Sequence, residues 1–373
     1  MNTQLARDLG LEFPIFAFTH CRDVAAAVSK AGGLGVLGVA THSPKTLEAE
    51  LDWIEKEIGD KPYGVDLLLP VRFVGSDEKF DGAKMNEMIP DEHRQFLDDL
   101  LDQHDVPALP ADTKLAQPIG VGYEQQREVI EMCFERRISL IASALGPPPD
   151  WMIEQGRAKG IKVAALAGTV EHARRHVEAG VDIVVAQGYE AGGHTGTVST
   201  MVLVPEVVDA VSPVPVLAAG GIGNGRQVTA SLALGAQGVW LGSVWLTTKE
   251  AETHPVVKEK FLRATSSDTV RSRSLTGKPA RQLRTAWTDA WEDPANPDPL
   301  PMPLQPLLVR EAQERINRTA HKNAGAELLV NYFVGQIVGS LDQIKSVRSV
   351  IEELAGEYAD TMERLDEWAD IGD

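Results

Sequence analysis

The chain has 373 residues, with 36 Lys+Arg against 54 Asp+Glu and a net charge of −18. With 43% hydrophobic residues, it suits either one large α/β domain with insertions or two domains, and it can bury a large core. So acidic a balance argues against nucleic acid and anionic membrane as partners, because phosphate binding needs clustered Lys and Arg. Cys21 and Cys133 are the only cysteines and cannot make a disulfide framework. No apolar run approaches the roughly 18–20 residues of a membrane span, and the opening MNTQLARDLGLEFPIFAF lacks a signal-peptide pattern. The expectation is a cytoplasmic enzyme acting on a small molecule.

Short apolar runs alternate with helical patterns along most of the chain. The candidate strands are Pro14–Phe18, Gly35–Gly38, Tyr63–Leu69, Ile138–Ile141, Val163–Ala167, Ile183–Ala186, Val216–Ala219 and Val239–Leu241. Most are continuously apolar, as parallel strands buried on both faces are. Helical patterns lie between them: Asp23–Ala31, Pro44–Ile58 opened by Ser43-Pro44, Val170–Ala179 opened by Thr169, and Gln227–Leu234 preceded by Asn224. Eight strands in βα alternation predict a (β/α)8 TIM barrel, with a doubly wound sheet as the rival.

Two segments fall outside the alternation. Residues 71–137 follow the third strand as a long insertion, with an acidic helix pattern at Asp91–Gln103 and a Pro-rich stretch at Val106–Pro118. It is either surface decoration or a lid over the C-terminal rim, where barrel active sites are built. The barrel is expected to occupy residues 1–290 and a Pro-rich linker with extra C-terminal helices residues 291–373. Asp293–Pro306 carries six prolines in fourteen residues and is expected to be extended. Helical patterns follow at Leu307–Thr319 and Leu341–Ala369, the last expected outside the barrel or against a second copy in a homodimer.

The chemistry sits where the late strands end. The sixth runs into Gln187-Gly-Tyr-Glu-Ala-Gly-Gly-His-Thr-Gly196, the seventh into Gly220-Gly-Ile-Gly-Asn-Gly225, the eighth into Gly242-Ser243. Glycine lets backbone N–H groups approach an anion closely, and helix N-termini add partial positive charge. Gly220, Gly221, Gly242 and Ser243 therefore read as a phosphate cradle, with tight helix–strand turns as the plain alternative. No Lys lies in either loop, and a Walker pattern is absent. Gln187 can donate and accept at once, which suits a heteroaromatic ring edge; it could equally cap neighbouring backbone. Asp66, on an apolar strand, needs a partner, either a ligand or an ion-paired cation. His194, on a glycine loop at the rim, suits an acid, a base or an anion-stabilising donor. His20 and Cys21 also sit on the rim, but a Cys–His nucleophile needs a third orienting group. The histidines show no metal-ligand spacing, so no metal is expected.

The runs Ala31-Gly-Gly-Leu-Gly-Val-Leu-Gly38, Ala186–Gly196, Ala219–Gly225, Ala233–Ser243 and Leu275-Thr-Gly-Lys-Pro-Ala-Arg281 together resemble the nitronate monooxygenase (2-nitropropane dioxygenase-like) family over about residues 10–290. The resemblance implies a TIM barrel holding non-covalent FMN. It places Gln187 on the isoalloxazine, Gly192 and Gly193 beside the ring, and Gly220, Gly221, Gly242 and Ser243 on the phosphate. By the same resemblance the backbone of Ala17-Phe18-Thr19 would lie against the flavin, and His194 would be the catalytic histidine. Two departures stand out. Phe18-Thr19-His20 replaces the family's Pro-Met, and Asp66 replaces its usual Asn, so Asp66 would lie near the ring and change flavin tuning or substrate.

Three functions follow. The first is an FMN-dependent oxidation of alkyl nitronates with O₂, His194 stabilising or deprotonating the substrate. The second is an enoyl or acyl thioester (CoA or acyl-carrier) reductase or dehydrogenase, which predicts basic residues at the rim among Arg271, Arg273, Lys278 and Arg281. The third is a non-catalytic FMN-binding assembly partner. A phosphosugar barrel without flavin is the residual reading.

Overall fold

A computed structural model describes residues 1–40, 42–70, 82–113, 115 and 123–369. In chain order the strands are β1 (Ile15–Thr19), β2 (Leu34–Gly38), β3 (Tyr63–Leu68), β4 (Leu140–Ala144), β5 (Lys162–Ala167), β6 (Ile183–Gln187), β7 (Gly193–His194), β8 (Val216–Ala219), β9 (Gly238–Leu241), β10 (Thr269–Ser272) and β11 (Ala280–Leu283). Eight of them close in the order β1-β2-β3-β4-β5-β6-β8-β9. The closing pair is parallel, with Ile15 opposite Val239 and Ala17 opposite Leu241. That pairing excludes the doubly wound sheet and makes the fold the expected (β/α)8 TIM barrel.

Both faces of each barrel strand are buried, and the sequence shows why the runs are unbroken. Phe16, Leu34, Val36, Leu140, Ala142, Ile183, Val185, Leu217 and Trp240 fill the interior. The intervening residues, such as Ile15, Ala17, Val65, Leu67 and Val184, pack outward against the helices. The helices begin where the sequence marks them. Ser43 Oγ accepts from Thr46 N, Thr169 Oγ1 from His172 N, and Asn224 Oδ1 from Gln227 N within a capping box.

Three details differ from the pattern. β4 runs over Leu140–Ala144, not Ile138–Ile141; Ala142 and Ser143 are weak strand formers, but burial between β3 and β5 holds them. The extended Pro-rich stretch stops at Pro303, and a helix spans Leu304–Thr319. Pro306 sits in its first turn, where no intrahelical N–H is needed. The last helix begins at Val347, after a short 3₁₀ turn at Gln336–Ser340, and lies outside the barrel against the Gly225–Ala233 helix.

A second core lies beside the barrel. Leu97, Leu100 and Leu101 of the Asp91–Gln103 helix pack with Phe261, Trp287, Trp291, Leu308, Ile316 and Leu329. Asn323 Nδ2 donates to Asp105 O, and Arg315 Nε and Nη2 donate to Pro107 O and Val106 O. The insertion and the tail, far apart in sequence, thus form one helical layer. Residues 71–81, part of the proposed lid, and 116–122, which include the end of the Pro-rich stretch, lie outside the described residues.

Candidate active site at the barrel mouth

β8 exits into Gly220 (φ +104°) and Gly221 (φ +69°), conformations that favour glycine. Around this turn the polar groups are largely spent on the protein. Gly223 N donates to Gln227 Oε1 at 2.8 Å, and Gln227 Nε2 donates to Gly221 O at 2.6 Å. Gly225 N, at the start of the next helix, donates to Glu357 Oε2 at 2.6 Å. That helix N-terminus is therefore already paired with a carboxylate from the last helix. The backbone N–H groups of Gly221, Ile222 and Ser243 make no hydrogen bond among the described residues. N–H groups left unspent on two adjacent strand exits are available to an anion.

The first-strand residues divide by face. Ala17 packs outward and can offer a ligand only its backbone. Phe18 faces inward, stacked on Trp240 at 6.4 Å and edge-on to His20 at 5.1 Å. Thr19 Oγ1 accepts from Cys21 N. Cys21 is no activated nucleophile: its Sγ donates to Glu250 O, and burial pushes the thiol pKa up, helped by Glu252. Gly242 is open, its nearest neighbour being the Phe18 ring edge. Gln187 ends β6, and its side-chain amide has no partner among the described residues.

Asp66 has Gly38 and Ala142 as its register partners on either side. Val65 and Leu67 face the helices, so the carboxyl points into the barrel. Asp66 is 6% exposed, and Oδ1 has no partner. Burial drives its pKa well above the usual carboxylate range, opposed only by a hydrogen bond from Leu67 backbone. The ion-pair alternative is thereby removed among the described residues.

His194 belongs to β7, which joins β11 and β10 in an antiparallel sheet beside the mouth, with His194 opposite Ala280. Its Nε2 lies 2.9 Å from Thr276 Oγ1. Burial and then the charge of Lys278 lower its pKa to about 4, so the ring is neutral at pH 7. Thr276 Oγ1 also donates to Lys278 O and accepts from Lys278 N. The Lys278 ammonium is half-buried and has no partner among the described residues. The other basic residues are committed. Arg281, 2% exposed, donates twice to Tyr189 O and once to Thr269 Oγ1. Arg271 donates to Thr195 O, and Arg273 pairs with Asp298 at 3.6 Å.

The C-terminal segment crosses the same mouth. Phe333 bridges to Gln282 and lies 6.4 Å from His194. Gly335 N donates to Ser243 Oγ, and Gln336 N donates to Glu190 O. A Cβ at Gly192 would sit 2.7 Å from Gly335 N, so Gly192 is explained by close packing of this segment. Gly193 (φ +74°) meets nothing within 4 Å and opens to the mouth.

The model for nitronate monooxygenases matches residues 11–357. The chain belongs to the nitronate monooxygenase family. A Mycobacterium tuberculosis protein carrying a monooxygenase name is 59% identical over 98% of both chains. A Staphylococcus haemolyticus protein carrying a nitronate monooxygenase name is 30% identical over 94% of this chain and 99% of its own. Among solved structures, nitroalkane oxidase from Streptomyces ansochromogenes superposes with a TM-score of 0.79 at 25% identity, over 96% and 99% of the two chains. FabK from Thermotoga maritima gives 0.73 at 28%, over 99% of each. This member of the nitronate monooxygenase family is an oxidoreductase with a TIM barrel. No helix among its described residues is long and apolar enough to cross a membrane.

Sequence reasoning named Lys278 only as one of four rim cations and missed Thr276, Phe333 and Gly335. The alternation Thr-Val-Arg-Ser at 269–272 was a usable signal for a strand near His194. Nothing local in Phe333-Val-Gly335 announces that it returns to the barrel mouth.

Proposed function

We propose that this protein is an FMN-dependent oxidase of alkyl nitronates that uses O₂. The observation that carries this reading is the pairing of a neutral His194 with the partnerless Lys278 ammonium beside an unspent anion cradle. The residues fit a phosphorylated ring cofactor. The N–H groups of Gly221, Ile222 and Ser243 would take the phosphate. The Gln187 amide, the orphaned Asp66 carboxyl, the Ala17–Thr19 backbone and the open Gly193 would meet the ring. Bound there, a flavin supplies an electron acceptor that the side chains lack.

The chain's own groups do the rest. A nitronate is an anion, and Lys278 is the nearby cation free to neutralise it. Thr276 occupies Nε2 of His194, which leaves Nδ1 as the nitrogen open to substrate. A neutral imidazole there accepts a proton or shares a hydrogen bond without a second positive charge. Phe333, whose ring lies 6.4 Å from His194 and 5.7 Å from Tyr332, gives the site an aromatic border. The helical layer built from the insertion and the tail would serve as the lid that limits water.

The thioester reading asks for rim cations to hold a phosphorylated carrier. Arg281 and Arg271 are spent internally, which favours the smaller anion. The test is the visible spectrum of the purified protein, taken anaerobically before and after propyl nitronate. Bleaching of a flavin band supports nitronate oxidation. A flavin band that stays oxidised keeps the cofactor and shifts the substrate to thioesters. Protein that stays colourless after incubation with FMN removes the cofactor.

A further inference from the structure

Among the described residues, Asp66 is the one acidic side chain with a fully buried oxygen that has no partner. A carboxylate taken out of water is costly unless a cation or several donors surround it. Around Asp66 the barrel supplies neither. β2 faces it with the bare Gly38, and β4 with Ala142. The inward aromatic of β1 is Phe18. The His20 ring, just past β1, packs on Gly38 and Phe18, with Nδ1 3.4 Å from Gly38 O. No lysine or arginine pairs with Asp66 among the described residues, and its Oδ1 is fully enclosed with no partner.

Such a group is tolerated in two ways: it gives up its charge, or a ligand completes it. The geometry points to both: Asp66 is carried as a neutral carboxylic acid whose O–H donates a hydrogen bond to an acceptor atom on the ring of the bound cofactor. This rests on the reading that the mouth holds FMN. A neutral acid offers one donor and one acceptor on a planar group, so it can do at this position what a primary amide would do. The His20 and Phe18 rings fill the space beside Gly38, and the alternating Val65 and Leu67 fix the direction of Asp66 into the barrel. Low polarity around the site also keeps water from competing for the proton. A negative charge is thereby kept away from a ring that must accept electrons, which an ionised carboxylate would oppose.

Infrared spectroscopy reads the protonation directly, with and without FMN. The wild-type protein at neutral pH is expected to show the carbonyl stretch of a protonated carboxylic acid that is missing from Asp66→Asn, and this band should move when FMN is added. Asp66→Leu is expected to lose FMN affinity on the order of tenfold, as for one hydrogen bond in a buried site. Asp66→Asn should restore affinity to within about threefold of wild type, because the amide replaces the acid's donor. A holoprotein with no such band, and a flavin midpoint potential that rises in Asp66→Asn, would mean an ionised Asp66 and overturn the proposal. A band that FMN leaves unmoved, with equal affinity in Asp66→Leu, overturns the hydrogen bond to the ring. A chain that takes up no FMN in any form fails differently: it removes the cofactor reading and this proposal with it.

Discussion

The Gly335 backbone N–H donates to Ser243 Oγ at 2.8 Å, across 92 residues of sequence. Ser243 thus spends one oxygen lone pair on the C-terminal segment and keeps its hydroxyl proton for another acceptor. A phosphate in the cradle would receive that proton, so seating of the tail and retention of the cofactor share one side chain. Ser243→Ala removes both bonds. It is expected to lower FMN affinity on the order of tenfold and cost about 1 kcal/mol in apoprotein stability. Fluorescence titration with FMN and thermal melts of the apoprotein check the two effects separately.

Gly221 tests the cradle itself. At φ +69° a β-branched residue is strained, and a Cβ there would lie 3.1 Å from Glu190 Cβ. Glu190 cannot yield easily, because its Oε2 accepts from both Thr200 N and Thr200 Oγ1. Gly221→Val should purify folded but colourless. A fully yellow variant, with a circular dichroism spectrum like wild type, would contradict the assignment.

His194→Asn should keep FMN bound and slow its reduction by nitronate about a hundredfold. Thr276→Val should slow reduction less, and Thr276→Ser should restore it, since only the hydroxyl on Nε2 matters. The pH dependence has a definite sign. An unfolded histidine titrates near its ordinary 6.5, and His194 near 4. Between these values the unfolded chain binds more protons, so stability from this group falls as pH drops through that window. The melting temperature of His194→Asn should therefore fall less than that of wild type between pH 6.5 and pH 4, while wild-type reduction rates show no His194 titration near neutrality.

Lys278→Met should raise KM for a nitronate on the order of tenfold, as expected when a charge-assisted contact is lost. FMN affinity should hold. Lys278→Arg should recover part of the loss. With the neighbouring cation gone, the His194 pKa should rise, which imidazole NMR resonances followed across pH would report. Unchanged KM in Lys278→Met would place the substrate anion elsewhere.

The barrel was legible because its strands are buried on both faces and their helices carry local caps, so Ser43, Thr169 and Asn224 mark starts that the structure keeps. The glycine turn after β8 was legible for a similar reason: Gly220 and Gly221 announce a backbone need at one place in the chain. What escaped was everything made by distant segments. The Thr276 hydroxyl reaches His194 across 82 residues, and Glu357 reaches Gly225 across 132. Arg271 and Arg281 looked like free rim charges, but Tyr189 and Thr195 on the sixth-strand loop consume them. A lone sequence records charge, not which carbonyl will claim it.

The second core also sets an order of events during synthesis. The Asp91–Gln103 helix buries Leu97, Leu100 and Leu101 mainly against residues between Val257 and Val338. A ribosome adding about 5–20 residues per second leaves that apolar stripe without its partners for roughly ten seconds or more. The nascent chain thus passes through a stage with most barrel strands made and a greasy helix still uncovered. Cells making this protein quickly should need a chaperone to shield that helix, and chains cut short before Leu329 should aggregate even though all eight barrel strands are present.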